Sequence, residues 1–263
     1  MNLKYLLGSI VAVPLLPVLY FQGKRIRASV PRLPEATDPQ GVVEKTGQTV
    51  LNLLCIGEST MAGVGVEIHK EGFVGTLAEE LSELLQREVQ WQVYARSGYT
   101  AKRMTEKLVP KAKNVSADLI VVGVGGNDAF TLNRPKKFRL EVEALIKAIH
   151  FQLPDVPIFF TNMPPIKEFP AFTSTIKFVV GNLVEILGET LADVVAQYEN
   201  VFYSAETITM RGWMKKWDVA GKAHDFFSDG VHPSKLTYQV WAKDMAHFIN
   251  STSVIPSRIS QKA

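Results

Sequence analysis

Short apolar runs alternate along this chain with longer segments of helical period, and that alternation is the strongest constraint on its fold. The runs lie at 50–56, 89–95, 119–124, 156–161 and, more weakly, 200–203. Between them lie helical segments, of which Phe73 to Arg87 is the clearest, with Phe73, Leu77, Leu81, Leu84 and Leu85 on one face. Strands separated by helices must run parallel and be joined by right-handed crossovers. The expected fold is therefore α/β, a three-layer α/β/α sandwich around a central parallel sheet of about five strands. In such folds the site lies beyond the carboxyl ends of the strands, which makes the residues just after each apolar run the ones to inspect.

The 263 residues, 46% of them hydrophobic, suffice for one large domain. Three parts are expected: an N-terminal hydrophobic anchor at 1–23, a linker at 24–48 and a folded domain at 49–263. From Tyr5 to Phe21 the chain is apolar and uncharged, close to the lower limit of about 17 residues for a spanning helix, although Pro14 and Pro17 weaken it. No small-x-small cleavage site precedes the basic cluster, so an uncleaved anchor is expected. Lys24, Arg25, Arg27 and Arg32 follow the apolar run and only Lys4 precedes it, which places the domain on the cytoplasmic side by the positive-inside rule. The alternative is a helix lying along the membrane or against the domain. Residues 24–48, rich in Pro, Gly and charge, read as extended linker.

Several function classes are set aside. A formal charge of +3, with the basic residues scattered, gives no nucleic-acid footprint. The lone cysteine, Cys55, sits in an apolar run and reads as a buried small hydrophobe. Gly123-Val124-Gly125-Gly126-Asn127-Asp128 fails as a dinucleotide fingerprint because Asp128 stands at the third glycine position, and Gly63 and Gly65 lack the Lys-Ser/Thr ending of a phosphate loop. His69, His150, His224 and His247 have no ligand spacing, so no metal and no cofactor is expected.

Four strand or helix boundaries carry chemistry. They are Gly57-Glu58-Ser59-Thr60, Arg96-Ser97-Gly98-Tyr99, Gly125-Gly126-Asn127-Asp128, and Asp229-Gly230-Val231-His232-Pro233 before a last helix at Ser234–Ile249. A serine hydroxyl becomes a nucleophile when an imidazole takes its proton, and a carboxylate fixes that imidazole's tautomer. Ser59, His232 and Asp229 are the candidates, since an Asp and a His three residues apart can meet across one turn. The backbone N–H of Ser59, the backbone N–H of Gly98 and the side-chain amide of Asn127 are the candidate oxyanion donors. His224-Asp225 is a rival pair, disfavoured because it falls in an expected helix at 211–227. Met61 replaces the last glycine of the Gly-x-Ser-x-Gly elbow, which argues against the α/β-hydrolase fold. The segment 163–188, with Phe169, Phe172, Phe178 and several prolines, reads either as a lid or acyl-chain wall or as core packing.

Taken in order from Gly57 to His232, these four blocks resemble the SGNH hydrolase superfamily, the GDSL-type lipases and esterases. The resemblance covers everything except the anchor and linker. It implies a flavodoxin-like fold, Ser59 as nucleophile and first oxyanion donor, Gly98 and Asn127 as the other donors, and Asp229 and His232 completing the triad. Two positions depart from the usual pattern: Glu58 stands where Asp is common and Thr60 where Leu is common. The expected function is a serine hydrolase of carboxylic esters or thioesters (esterase, lysophospholipase or thioesterase) acting on a small-molecule or lipid acyl ester through an acyl-enzyme on Ser59. The alternatives are a carbohydrate O-deacetylase and a noncatalytic membrane-tethered binding module.

Overall fold

A computed structural model describes residues 3–45, 49–252 and 254–255. Six strands form one sheet in the order β1-β3-β2-β4-β5-β6: β1 Gln40–Val43, β2 Val50–Gly57, β3 Glu88–Ala95, β4 Leu119–Gly123, β5 Ile158–Phe160 and β6 Val201–Tyr203. All neighbours pair in parallel except β1, which runs antiparallel to β3 from Gln40 opposite Gln92 to Val43 opposite Val89. The five parallel strands are those expected. β1 is an addition, placed within the segment that reads as linker. Its four residues alternate exposed and half-buried along the sheet edge, too short a pattern to register as a strand in sequence. Residues 46–48 of that segment lie outside the described residues.

The crossover β2–α2–β3, with α2 at Phe73–Leu85, moves one way along the sheet. The later crossovers move the other way, through α3 Ala101–Lys107, α5 Pro135–Gln152 and α6 Ser174–Val195. Right-handed connections therefore put α2 on one face and α3, α5 and α6 on the other. The last helix, α8 Lys235–Ser251, returns to pack on α2, completing three layers. The strand order reverses beside β2 and β4, so a crevice opens at their carboxyl ends. The core between the layers is mostly apolar, and it includes Cys55, whose thiol burial raises far above its ordinary range.

Two helical expectations change. The segment 163–188 divides into a loop with a 3-10 turn at Ile166–Glu168 and then the 22-residue α6. Thr173 caps α6 by accepting the Ile176 N–H, and Ile176, Val180, Leu183, Leu187, Leu191 and Val194 form its buried stripe. The helix expected over 211–227 ends early: α7 spans Met210–Trp217 and stops where Asp218 takes a left-handed φ of 50°, followed by a 3-10 turn at Ala223–Phe226.

At the N-terminus α1 spans Leu3–Ser29 without interruption at Pro14 or Pro17. By length and composition it is apolar enough to cross a membrane. It lies antiparallel along α6, with Lys4 paired to Glu189 at one end and Gln22 accepting from the Thr173 hydroxyl at the other. Tyr5, Leu19 and Ile26 face the domain, while Leu3, Ile10, Val13, Tyr20 and Phe21 are each at least 60% exposed. Hence the last turns of α1, as well as β1, occupy what reads as linker.

Candidate active site

β2 ends between its two neighbours: the Arg96 N–H donates to the Gly57 carbonyl at 3.1 Å and the Glu58 N–H to that of Gly123 at 3.2 Å. Beyond Gly57 the chain folds into successive turns, with Ala62 N–H to Glu58 C=O at 2.9 Å and Val64 N–H to Ser59 C=O at 3.1 Å. Ser59 thus stands on a tight loop at the strand end and caps no helix. Gly65 lets this loop meet the one from the far end of the chain. It has φ +107°, and a Cβ there would fall 2.5 Å from Ser228 Oγ and 2.8 Å from the Pro233 carbonyl. A second tie comes from α8, whose buried Tyr238 hydroxyl donates to the Val64 carbonyl at 2.7 Å.

That second loop is closed on itself by an isolated bridge between Phe227 and Pro233 and by the Ser228 N–H donating to the His232 carbonyl at 2.8 Å. Within it Asp229 Oδ2 meets His232 Nδ1 at 2.7 Å, and Oδ1 accepts the N–H groups of Val231 and His232 at 2.9 and 2.7 Å. The Asp229 side chain is 1% exposed and that of His232 24%. Burial pushes the Asp229 carboxyl up, but the His232 ring and the two N–H donors outweigh it and hold the group below its ordinary value. With Nδ1 engaged by this carboxylate, Nε2 is the ring nitrogen that could accept a proton.

At the end of β4 the chain enters α4, Gly126–Phe130, through Gly125 at φ 113°. Glu58 is buried against its first turn: Oε1 accepts the Gly126 N–H at 2.9 Å, and Oε2 accepts both the Asn127 N–H at 2.8 Å and its side-chain amide. Burial raises the Glu58 carboxyl to about 7, with the Asn127 and Gly126 N–H groups opposing the shift and Asp128 adding to it. The remaining hydrogen of the Asn127 amide points to the Tyr99 carbonyl at 3.2 Å. To donate to an oxyanion, the amide must release this longer contact. Gly98, in the turn after β3, has φ +82°, and a Cβ there would meet nothing within 4 Å.

Ser59, Gly98, Asn127 and His232 line one cavity of about 130 Å³. Phe130, Pro164, Pro165, Phe169, Phe227 and Trp241 supply most of its apolar wall. Asp229 stands behind His232, outside the lining. The phenylalanines of the 163–188 segment separate: Phe169 is buried in the wall, Phe172 packs edge-on against Phe130 and Phe169, and Phe178 is 53% exposed on α6. The rival pair His224-Asp225 meets at 3.1 Å, but the His224 side chain is 73% exposed and neither residue lines the cavity. Among the described residues no group of three metal-ligating side chains occurs.

Sequence reasoning missed three supporting residues. Asp128, fully buried, accepts the Ala101 N–H and the Asn133 amide and ties α4 to the start of α3. Tyr238 reaches back to the Ser59 loop, as above. Glu35, in the supposed linker, accepts the Ser97 N–H. Each acts on a residue far away in sequence with no local motif; Asp128 and Tyr238 are fully buried, whereas Glu35 is only half-buried.

A serine at the end of a parallel strand and a His–Asp pair on the loop before α8 meet at one small apolar cavity, the arrangement of an ester hydrolase of the three-layer α/β/α class. Residues 55–240 match the model of the GDSL-like Lipase/Acylhydrolase family. The chain belongs to that family and is an esterase or lipase-type enzyme. Among solved structures it resembles a putative GDSL-like lipase from Parabacteroides merdae, at TM-score 0.59 and 18% identity, over 78% of this chain and 98% of that one. It also resembles TesA (TM-score 0.55, 17% identity, 77% and 98% covered) and a family 3 carbohydrate esterase from Clostridium thermocellum (0.56, 15%, 80% and 98%). At these identities the likeness establishes the fold. A comparison with curated proteins finds no match.

Proposed function

We propose that the chain hydrolyses small acyl esters or thioesters through an acyl-enzyme on Ser59. The observation that carries this reading is that Ser59 shares a cavity with Gly98, Asn127 and a His232 ring held by Asp229. Ser59 Oγ attacks the acyl carbonyl as His232 Nε2 takes its proton. The oxyanion formed is met by the N–H groups of Ser59 and Gly98 and by the Asn127 amide. Collapse of the tetrahedral adduct expels the alcohol or thiol, which leaves with the proton from His232. Water then repeats the sequence on the acyl-serine and regenerates the free hydroxyl.

At about 130 Å³ the cavity lies well below the roughly 300 Å³ where pockets for larger ligands begin, and its wall is mostly apolar, which suits a short acyl group. Full-length protein in detergent is expected to react with a fluorophosphonate probe and to prefer nitrophenyl acetate or butyrate over longer esters, with Ser59→Ala losing both activities. Absence of labelling, or full turnover by Ser59→Ala, defeats the assignment. The same small volume favours a second reading, a carbohydrate O-deacetylase. Turnover of acetylated sugars well above that of nitrophenyl acetate would select it.

The exposed apolar side of α1 supports membrane association of the enzyme through its N-terminus. Retention in the membrane fraction after an alkaline wash is expected. Release into the supernatant would refute it. The basic residues Lys24, Arg25, Arg27 and Arg32 favour a cytoplasmic domain, to be checked by protease accessibility in sealed vesicles.

A further inference from the structure

Glu35 lies between α1 and β1, upstream of the residues that match the family. Its carboxylate reaches two groups just past β3: Oε1 accepts the Ser97 N–H at 2.7 Å, and Oε2 pairs with the Arg96 guanidinium at 3.0 Å. The peptide group it holds adjoins the Gly98 N–H assigned above to the oxyanion. Gly98 has no side chain to anchor it, so its direction depends on how this turn is fixed. One constraint is the Tyr99 N–H donating to the Arg96 carbonyl at 3.3 Å, a long bond, and Glu35 supplies the short one.

The residues after Glu35 hold the nucleophile loop. The Ala36 N–H donates to the Ala62 carbonyl and the Thr37 N–H to that of Glu67, both at 2.9 Å. The methyl of Ala36 fills the space over Gly63, where an added Cβ would come within 2.6 Å of it. One short segment therefore touches both the Ser59 loop and the Gly98 loop.

We propose that Glu35 is a positioning residue for the hydrolysis: its hydrogen bond to the Ser97 N–H sets the direction of the Gly98 N–H, making the segment after α1 part of the active site. This rests on the ester-hydrolysis reading above. No proton moves to or from Glu35 in the reaction. Its part is to keep a donor aimed at the place where negative charge develops.

The test uses the full-length protein in detergent, as wild type, Glu35→Ala and Glu35→Gln, assayed with nitrophenyl acetate and by the rate of fluorophosphonate labelling. Misaligning a donor weakens the transition state more than substrate binding, so Glu35→Ala should lower kcat roughly tenfold or more with KM within about twofold. Labelling should slow by a similar factor while the melting temperature changes little. Glu35→Gln retains an acceptor for the Ser97 N–H and should recover to within about threefold of wild type. If Glu35→Ala keeps kcat within about twofold of wild type, the positioning role is overturned and the ester-hydrolysis reading stands. A Glu35→Ala loss that appears as a raised KM, or that Glu35→Gln fails to restore, overturns it equally. A wild type that neither labels nor turns over esters overturns both.

Discussion

Glu58 has the most unusual environment of any residue at the site. Its side chain is one methylene longer than the Asp common at this position in similar proteins. That length lets a single carboxylate gather two backbone N–H groups and the Asn127 amide. Burial raises it from an ordinary 4.5 to about 7, so the folded protein holds this proton more tightly than the unfolded chain. Its contribution to stability is therefore full below about pH 4.5 and is lost as pH rises to about 7, on the order of 3 kcal/mol. Urea unfolding at several pH values should show this decline in wild type and not in Glu58→Gln. Parallel curves for the two proteins would contradict it. Asp229 behaves oppositely: its depressed value contributes stability that is lost only in acid, as pH falls through its folded-state value. Asp229→Asn should reduce kcat roughly 10³-fold or more by leaving the imidazole in the wrong tautomer. A loss below about tenfold would remove Asp229 from its role.

Residues that act through short local motifs were legible from sequence. Gly57-Glu58-Ser59 and Asp229-x-x-His232 each announce themselves within a few positions, and the structure places Ser59 and His232 on one cavity. The hold of Glu58 on Asn127 spans 69 positions, and that of Glu35 on Ser97 spans 62. Neither pattern has a period or spacing for sequence reasoning to detect.

At the scale of elements, the two loops of the site depend on a close approach that only glycine permits. Gly65→Ala places a methyl against Ser228 and the Pro233 carbonyl at a backbone angle unsuited to alanine. It should cost about 1–3 kcal/mol of stability and should lower kcat by moving Ser59 away from His232. Unchanged melting and turnover would show that the loops adjust freely. Tyr238→Phe strips the Val64 carbonyl of its buried partner and should cost about 1–3 kcal/mol in chemical denaturation. The long strands β2 and β3 and the helices α2 and α8 were readable because their apolar period is regular. α6 was not, because Pro164, Pro165 and Pro170 lie just ahead of it and mask a stripe that begins only after the Thr173 cap. The end of α7 turns on a single left-handed residue, Asp218, which no periodicity foretells.

At the scale of the whole molecule, residues 3–45 hold more structure than an anchor followed by an extended linker. Leu3–Ser29 is one helix, and from Glu35 to Val43 the chain builds the sheet edge and braces two site loops. A protein starting near residue 31 should keep its turnover in solution, whereas one starting at residue 49 should lose most of it. Equal kcat for the two would mean that the edge segment is dispensable. The fold class was legible because alternation of strand and helix survives any detail of the loops. The antiparallel edge strand was not, since four residues at a sheet margin carry too little burial to mark the sequence.

The tie between Tyr238 and Val64, together with the approach of Gly65 to Ser228, also has a consequence in time. Ser59 and His232 are made far apart during synthesis, on the order of 10–30 s at typical elongation rates. The nascent chain thus carries its hydroxyl on a loop that has neither its imidazole nor the helix that braces it. If Ser59 and His232 act as proposed, hydrolytic competence arrives only once His232 and α8 have been made, so a shorter nascent chain cannot attack an ester.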